Sequence, residues 1–286
     1  MKTPARLKPL VEDGLIDEVV SQLKTGKEAV VYLVRSGEVI RCAKIYKEIE
    51  RRSFRQAATY REGRKVKNTR AARAMEKGSR FGKQELEAAW QNAEVSALYR
   101  LAAAGVRVPT PHGCFEGVLL MDLVADAEGR PAPRLSEVAF SAEEALDCHA
   151  QLIREVVRML CAGLVHGDLS EYNILMAPDG PVIIDLPQAV DAAGNAHARD
   201  MLARDVNNLA DFFGRFAPEL LDTAYAREIW GIYESGLLTP DTPLTGEAEE
   251  DDTPADLDSL LREIMDARDE AERRAARAAA GDEEEY

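Results

Sequence analysis

The feature that most constrains this 286-residue chain is a polar segment followed by an apolar run that ends in an acid. His166–Asn173 reads HGDLSEYN, and Val182–Ile184 leads directly into Asp185. The β-branched run predicts a short strand that would bury one wall of a cavity. Asp168, Asn173 and Asp185 are then expected to place three oxygen-bearing side chains at the mouth of that cavity. The spacing alone leaves open a surface loop with an Asx turn.

Three such oxygen ligands match the requirements of phosphoryl transfer. One carboxylate must orient the attacking hydroxyl group or accept its proton, while an amide oxygen and a second carboxylate must hold Mg²⁺ ions. A lysine that anchors phosphates should then lie on a strand in the first half of the chain. Lys44, in the run Arg41–Tyr46, is the candidate, because a lysine within an apolar strand is costly unless it is paired.

The helix predicted over 83–104 is the expected source of the acid that pairs with Lys44. Apolar residues recur there at steps of three and four positions, and Gly105 fits a C-terminal cap. Glu94 lies beside the apolar positions and is the preferred partner, while Glu85 and Glu87 remain competitors. A lysine that snorkels from an edge strand is the alternative interpretation.

Strand patterns dominate the first half of the chain and helix patterns the second half. Apolar runs predict strands at Glu28–Val34, Glu38–Tyr46, Val118–Val124 and Pro181–Asp185. Capping signals and periodicity predict further helices from Ser141 to about Gly163 and from about Arg204 to Gly236. This order predicts an α+β fold of two lobes. The expected divisions are an N-terminal extension over 1–20, an N-lobe over 21–124, a C-lobe over 125–240 and a tail over 241–286.

Charge is unevenly distributed along the chain, whose formal net charge is −15. Residues 241–286 carry 17 acidic and 5 basic side chains, so they are predicted to form an acidic tail with one short helix. Residues 41–83 carry 15 Lys and Arg against 4 Glu, and within them 51–82 has too few large apolar groups to pack. A flexible basic insertion is therefore expected over 51–82. The two segments can attract each other, meet separate partners, or be plain solvated faces.

Membrane and disulfide signals are missing from the sequence. No apolar run is long enough to cross a bilayer, and Met1–Leu10 has no apolar segment of the kind that secretory signals contain. The cysteines at positions 42, 114, 148 and 161 are scattered, without the spacing of a metal site or a disulfide framework. These observations predict a cytoplasmic protein with no membrane partner.

Four segments, in order, resemble the RIO family of atypical protein kinases. They are Thr25–Tyr32 (the phosphate-covering loop), Lys44–Lys47 (the lysine strand), His166–Asn173 (the catalytic loop) and Asp185–Val190 (the metal-binding loop). Weaker similarity is seen at Trp90–Glu94, Pro131–Leu135 and Arg204–Asn208, so the resemblance spans about residues 20–215. It implies a bilobal protein-kinase-like fold with ATP and Mg²⁺, or Mn²⁺, bound between a β-rich N-lobe and a helical C-lobe.

The resemblance also implies roles for individual residues. Lys44 would hold the α- and β-phosphates, Glu94 would fix Lys44, and Asp168 would be the catalytic base. Asn173 and Asp185 would bind metal. The implied nucleotide contacts are Lys27, Val31, Ala43, Lys44, Met121, Asp122, Val124 and Ile184. Of these, Asp122 and Val124 would meet the adenine through backbone groups, whereas Val31, Ala43 and Ile184 would pack on the base or simply belong to the core.

The chain departs from the family pattern at several points. Lys24 stands where the family usually has Ser, and Gly167 replaces the arginine that precedes the catalytic Asp in ordinary kinases. Only about 20 residues separate Asp185 from the helix expected near Arg204, so a truncated activation segment with little room for an extended peptide is implied. The residues before Ser21 are too few for a winged-helix domain, which favours the simpler branch of the family.

Three functions remain to be separated. The first is a serine/threonine protein kinase that acts on a protein substrate or on itself, with Ser53, Thr59, Thr69 and Ser79 of the basic insertion as candidate acceptors. The second is a small-molecule phosphotransferase, which Ser170–Tyr172 and the long insertion disfavour. The third is an ATP-hydrolysing switch in ribosome assembly. Contact of the basic insertion with ribosomal RNA or a ribosomal particle is a related hypothesis.

Overall fold

The computed structural model describes residues 3–26, 29–47 and 93–247, which form a β-rich lobe followed by a helical lobe. The expected basic insertion over 51–82 lies outside these residues, as do Lys27 and residues 248–286 of the expected acidic tail. In the described part, no helix is both long enough and apolar enough to cross a membrane. The predicted α+β arrangement is confirmed.

The N-lobe is built on one antiparallel sheet with the strand order β1-β2-β3-β5-β4. Its strands are β1 (Glu18–Thr25), β2 (Ala29–Ser36), β3 (Val39–Tyr46), β4 (Pro111–Phe115) and β5 (Val118–Asp122). Val31 lies opposite Lys44 in the β2–β3 register, and Lys44 lies opposite Leu119 in the β3–β5 register. Because directly opposed residues share one face of a sheet, these three side chains face the same side.

The other face of this sheet is covered by the N-terminal residues. A 3₁₀ turn (Ala5–Leu7) leads into helix α1 (Lys8–Glu12). Leu7, Leu10 and Ile16 are fully buried there, in one cluster with Ala43 of β3. The sequence pattern predicts a separate extension over 1–20. The structure differs, because the apolar side chains of this short segment complete the N-lobe core.

The C-lobe combines helices with two short two-stranded sheets. Helix α2, whose described part is 93–103, precedes this lobe in the chain. The helices of the C-lobe are α3 (Ala142–Cys161), α4 (Ala198–Phe213) and α5 (Tyr225–Glu234). The short strands are β6 (Leu164–Val165), β7 (Ile174–Ala177), β8 (Gly180–Ile183) and β9 (Val190–Asp191), paired as β6–β9 and β7–β8. Ser141 caps α3 as predicted, since its hydroxyl accepts from the Glu144 N–H and the Glu144 carboxylate accepts from the Ser141 N–H.

A buried histidine lies inside the C-lobe core. His149 of α3 packs against the rings of Phe213 and Tyr225, with centroid distances of 5.8 and 5.6 Å. Its Nε2 atom has no hydrogen-bond partner among the described residues. Burial lowers the pKa of His149 to about 4, because the charged imidazolium would lose its hydration.

This histidine predicts a loss of stability in mild acid. The unfolded chain takes up the proton near the ordinary pKa of about 6.5, well before the folded chain does, so stability is present at pH 7 and falls as the pH drops toward 4. We expect His149 to account for about 2 kcal/mol of lost unfolding free energy between pH 7 and pH 5. Urea unfolding of wild type and His149→Leu at both pH values measures this difference. The same pH dependence in both proteins would contradict the prediction.

Candidate active site

Lys44 extends from β3 into the cleft between the lobes, where it contacts two carboxylates. Its Nζ atom lies 2.5 Å from Glu94 Oε1 on α2 and 2.9 Å from Asp185 Oδ1, just after β8. Lys44 and Glu94 are buried, whereas the Asp185 side chain is 48% exposed. The lysine of the β-rich lobe and the acid at the end of the C-lobe hairpin therefore converge on one place.

The charges in this triad stabilise one another. Burial alone would lower the pKa of the Lys44 ammonium, but Glu94 and Asp185 outweigh it and raise the pKa above its usual range. Burial alone would raise the pKa of Asp185, yet the adjacent Lys44 holds it below its ordinary value. Lys44 and Asp185 are therefore both charged near neutral pH, which leaves an ammonium group in the cleft for an anionic ligand.

The β7–β8 hairpin brings Asn173 and Asp185 to the same end of two paired strands. Ile174 pairs with Ile183, the last residue of β8. The residue that follows β8, Ile184, donates its N–H to the Asn173 carbonyl at 2.9 Å. Asp185 follows in the left-handed region with φ of 68°. This conformation is uncommon for residues other than glycine and is best tolerated by Asp and Asn.

Asp168 is an exposed residue of the loop that joins β6 to β7, between the buried residues Gly167 and Leu169. The Asn173 side-chain amide donates to the Asp168 carbonyl at 2.8 Å, so these two residues are fixed relative to each other. His166, which is buried, contacts the Ile184 carbonyl through Nε2 at 3.2 Å and accepts from the Asp168 N–H through Nδ1 at 3.3 Å. One tautomer, with the proton on Nε2, satisfies both contacts and ties the Asp168 loop to the start of the Asp185 loop.

Helix α4 holds the backbone on both sides of Asp168. The carboxylate of Asp205, which is 1% exposed, accepts from the N–H groups of Gly167 at 2.7 Å and Leu169 at 2.8 Å. Asn208 donates to the Leu169 carbonyl at 2.8 Å, and Arg204 donates to the Gly167 carbonyl. Burial raises the pKa of Asp205, although these N–H groups favour its charged form.

No sequence motif predicts this role for Asp205, although Arg204–Asn208 is similar to the corresponding segment of the family. The sequence nevertheless contains a signal that the Asp205 carboxylate is buried and needs hydrogen-bond partners. Asp205 lies between Leu202, Val206 and Leu209, which are all buried, so it occupies the apolar face of an amphipathic helix. An acid at such a position is costly unless it is hydrogen-bonded.

Replacing Asp205 with Ala is expected to loosen the Asp168 loop. The two buried N–H groups of Gly167 and Leu169 would lose their acceptor, which we expect to lower the free energy of unfolding by about 2 kcal/mol and kcat by about tenfold. Chemical denaturation and steady-state kinetics measure the two effects. Asp211→Ala, at an exposed position of the same helix, is the matched control. Equal behaviour of both variants would show that the loop is held by other contacts.

Met121, Asp122 and Val124, which are expected to form the hinge between the lobes, lie at and just after the end of β5. The Asp122 N–H donates to the Thr110 carbonyl at 2.9 Å, and the Val124 carbonyl accepts from the Ala132 N–H at 3.0 Å. In the described part of the chain, no group accepts from the N–H of Val124. Met121 is half-buried and lies opposite Cys42 in the β3–β5 register.

The structure corrects the placement of Ala43. Successive side chains of a strand point to opposite faces, so Ala43 faces away from the cleft that Lys44 enters. Ala43 is fully buried against Leu7 and Leu10 beneath α1 and cannot pack on a nucleotide base. Cys42 is the β3 residue two positions before Lys44 and shares its face. Val31, opposite Lys44, also lies on the cleft face, and Ile184 is half-buried next to Asp185.

The oxygen atoms near Asp185 fit a hard divalent cation. Asp185 uses Oδ1 for Lys44, which leaves Oδ2, and Asn173 uses Nδ2 for the Asp168 carbonyl, which leaves Oδ1. Within residues 3–26, 29–47 and 93–247, no group of three or more His, Cys, Asp or Glu side chains is arranged to hold a metal. Magnesium is usually held by one or two carboxylates together with substrate phosphates, so these residues fit Mg²⁺ better than a metal that needs a closed cage.

Comparisons with known proteins agree with this geometry. A family model described as "RIO domain" matches residues 30–226. "RIO-type serine/threonine-protein kinase Rio1" of Haloferax volcanii is 39% identical over 216 residues, which cover 74% of this chain and 69% of the relative. The protein of the same name from Methanocaldococcus jannaschii is 34% identical over 204 residues, covering 70% of this chain and 64% of the relative.

A eukaryotic relative matches over a longer part of this chain. "Serine/threonine-protein kinase RIO1" of Chaetomium thermophilum is 30% identical over 283 residues, which cover 92% of this chain but only 51% of the relative. The chain thus spans about half to two thirds of the length of these curated relatives. With a family match over most of its length and a cleft in which lysine, glutamate and aspartate converge, the chain belongs to the RIO family of serine/threonine protein kinases.

Proposed function

We propose that this chain transfers the γ-phosphoryl group of ATP to serine or threonine hydroxyls of proteins, itself included. The observation that carries the proposal is the position of Lys44 Nζ, which lies within 3 Å of both Glu94 on α2 and Asp185 beside the Asp168 loop. Phosphoryl transfer depends mainly on positioning and on charge stabilisation, and this arrangement supplies both.

Lys44 is proposed to bind the α- and β-phosphates of ATP. Its ammonium has three donors, and only two are directed at Glu94 and Asp185. Glu94 holds the side chain in place and keeps it charged. Lys27, whose position lies outside the described residues, stays a proposed phosphate contact on the basis of sequence.

Asp168 is proposed to act as the general base. It accepts the proton of the attacking hydroxyl as the oxygen bonds to the γ-phosphorus and the bond to the β-phosphate oxygen breaks, which releases ADP. Its side chain is exposed, whereas its backbone is held by Asn173 and by α4 through the neighbouring residues. A fixed backbone with an accessible side chain is what a positioned base requires.

Asn173 Oδ1 and Asp185 Oδ2 are proposed to hold Mg²⁺, and Mn²⁺ would suit the same oxygen ligands. When bound, the metal neutralises the charge that develops on the transferred phosphoryl group. Lys44 keeps Asp185 ionised and therefore able to bind a cation over the neutral pH range.

The adenine base of ATP is proposed to form hydrogen bonds with the backbone of the hinge. The Val124 N–H has no acceptor among the described residues, and the Asp122 N–H is already used by Thr110, so the Val124 N–H and the Asp122 carbonyl are assigned to the base. On this interpretation, the apolar walls of the adenine site are formed by Val31, Cys42 and Ile184, with Met121 beside them.

The protein substrate is proposed to enter as a flexible segment and not as a long docked peptide. Helix α4 begins at Ala198, and β9 pairs with β6 in the short stretch that follows Asp185, so little chain remains for a docking platform. Autophosphorylation fits such a site. Contact with ribosomal RNA through residues 51–82 and a cytoplasmic location stay sequence-based proposals.

The test incubates the full chain with Mg²⁺ and ATP radiolabelled at the γ-phosphate. Covalent label on the wild type that is lost in Asp185→Asn supports the proposal, and Asn is chosen because it tolerates the left-handed backbone at this position. Arg154→Gln, at an exposed position of α3, is the control that should keep the label. Free phosphate without labelled protein would favour an ATP-hydrolysing switch. Label transferred to an added aminoglycoside or choline would favour a small-molecule enzyme.

A further inference from the structure

The C-lobe contains a surface cavity of about 300 Å³ between the first half of α4 and the start of α5, and the proposed transfer does not use it. Its polar lining consists of Arg199, Asn207, Thr223 and Arg227, and the remaining lining residues are alanines. Arg199 and Asn207 are eight positions apart on α4, with Ala203 midway, so they lie along one face of the helix. The neighbouring face of the same helix carries Asp205 toward the Asp168 loop.

Among the described residues, no carboxylate or other group contacts the guanidinium groups of the two arginines of this cavity. Within the described residues, the guanidinium groups of all arginines except three contact a carboxylate, a carbonyl, a hydroxyl or a ring. The exceptions are Arg154, Arg199 and Arg227. Two of these three line one cavity, which therefore presents two guanidinium groups without a described ion-pair partner.

Both arginines also lie at helix N-termini, where each first turn contains one acidic residue, Asp200 in α4 and Glu228 in α5. Arg199 lies in the first turn of α4 and Arg227 in the first turn of α5. The helix dipole disfavours cations at this end, and neither helix has a side-chain N-cap. A bound anion between the two arginines would offset both effects.

We propose that this cavity binds the phosphate group of a phosphoserine or phosphothreonine residue in a protein segment. A phosphate monoester carries close to two negative charges at neutral pH, which matches two guanidinium groups. Arginine binds phosphate through paired, parallel hydrogen bonds. Asn207 adds an amide donor, whereas the Thr223 hydroxyl already donates to the Leu220 carbonyl at 2.7 Å. The volume suits one phosphorylated side chain and lies at the lower limit for sites that enclose a drug-sized ligand.

An extended nucleic acid fits the surroundings less well. Asp200, Asp222 and Glu228 each adjoin a residue of the cavity lining in sequence and would repel a polyanion. The Glu228 carboxylate accepts from the N–H groups of Thr245 and Gly246, so it is fixed in place and does not swing over to neutralise the arginines. A single phosphate monoester needs only the centre of the cavity. The source of that group rests on the proposed function, whose product is phosphoserine or phosphothreonine.

The test measures binding of a fluorescein-labelled peptide with one phosphoserine flanked by alanine and glycine. The host is the full chain with Asp168→Asn, so that binding is independent of phosphoryl transfer. Fluorescence anisotropy should show saturable binding of this peptide and none of its unphosphorylated form. Adding Arg199→Gln or Arg227→Gln should weaken binding by about tenfold or more, because each removes a charged donor. Adding Arg154→Gln should leave it unchanged.

Each of four results would overturn the proposal. The phosphopeptide fails to bind, it binds equally well to the Arg199→Gln and Arg227→Gln variants, or a short RNA binds more tightly with the same dependence on the two arginines. Binding of inorganic phosphate without binding of the phosphopeptide also counts against it, since the site would then take only a free ion. Label transfer from ATP by the wild type is measured separately, so failure of this site and failure of the proposed function are distinguishable.

Discussion

Replacing Asp168 with Asn is expected to lower kcat for phosphoryl transfer by a factor of about 10² to 10⁴. Asn keeps the shape of the side chain but cannot accept the proton of the acceptor hydroxyl. Because the Asp168 side chain is exposed and its backbone is held from outside, the fold should be unaffected. Single-turnover transfer of label from ATP measures the rate.

Nucleotide affinity provides the control for this variant. ATP is bound by Lys44, by the metal ligands and by the hinge on the proposed arrangement, so the dissociation constant of ATP should stay within about twofold of wild type. The melting temperature should also be unchanged. A variant that transfers phosphate at nearly the wild-type rate would remove Asp168 from the role of base, and a variant that no longer binds ATP would give it a different role.

Replacing Lys44 with Met is expected to lower the free energy of unfolding by about 3 to 5 kcal/mol. The substitution keeps the length of the side chain but leaves the Glu94 carboxylate, which is 5% exposed, without its counter-charge. Asp185 is less affected, because it is partly exposed and can be hydrated. Equilibrium unfolding in urea at neutral pH measures the loss.

The double variant Lys44→Met with Glu94→Gln separates charge from packing. It removes the uncompensated carboxylate while it keeps the shape of the pair, so it should recover most of the lost stability. Neither variant should bind ATP normally, since the ammonium is absent from both. If the double variant is as unstable as the single one, packing of the lysine stem outweighs the buried charge.

Most of the strands and helices were predictable, because apolar runs, apolar periodicity and capping residues mark them in the sequence. The capping box of Ser141 and Glu144 placed the start of α3 correctly. The edge strand β1 was missed because most of its residues are exposed and polar, so it has no apolar alternation. Strand β4 was missed because it contains a proline and a glycine, which usually argue against a strand. The role of the N-terminal residues depends on tertiary packing that a local pattern does not encode.

The candidate site was predictable where chemistry is dictated by residue type. A lysine in an apolar strand needs an acid, and the structure places Glu94 in contact with it. The face on which Ala43 lies was predictable from the sequence, because Ala43 adjoins Lys44 in one strand and successive side chains of a strand point to opposite faces. The prediction was wrong because this alternation was not applied. Asp205 accepts hydrogen bonds from the backbone N–H groups of Gly167 and Leu169, which are distant from it in sequence. No spacing rule within the catalytic loop indicates Asp205 as their partner.

The N-terminal turn and helix also decide where an expression fragment can start. A fragment cut at the first residue of the RIO-domain match would begin at Val30 and would lose β1 together with Leu7, Leu10 and Ile16. The apolar face of β3 and β5 that these side chains cover would then be open to water. Such a patch promotes self-association, so a truncated kinase domain is expected to precipitate where the longer fragment stays monodisperse.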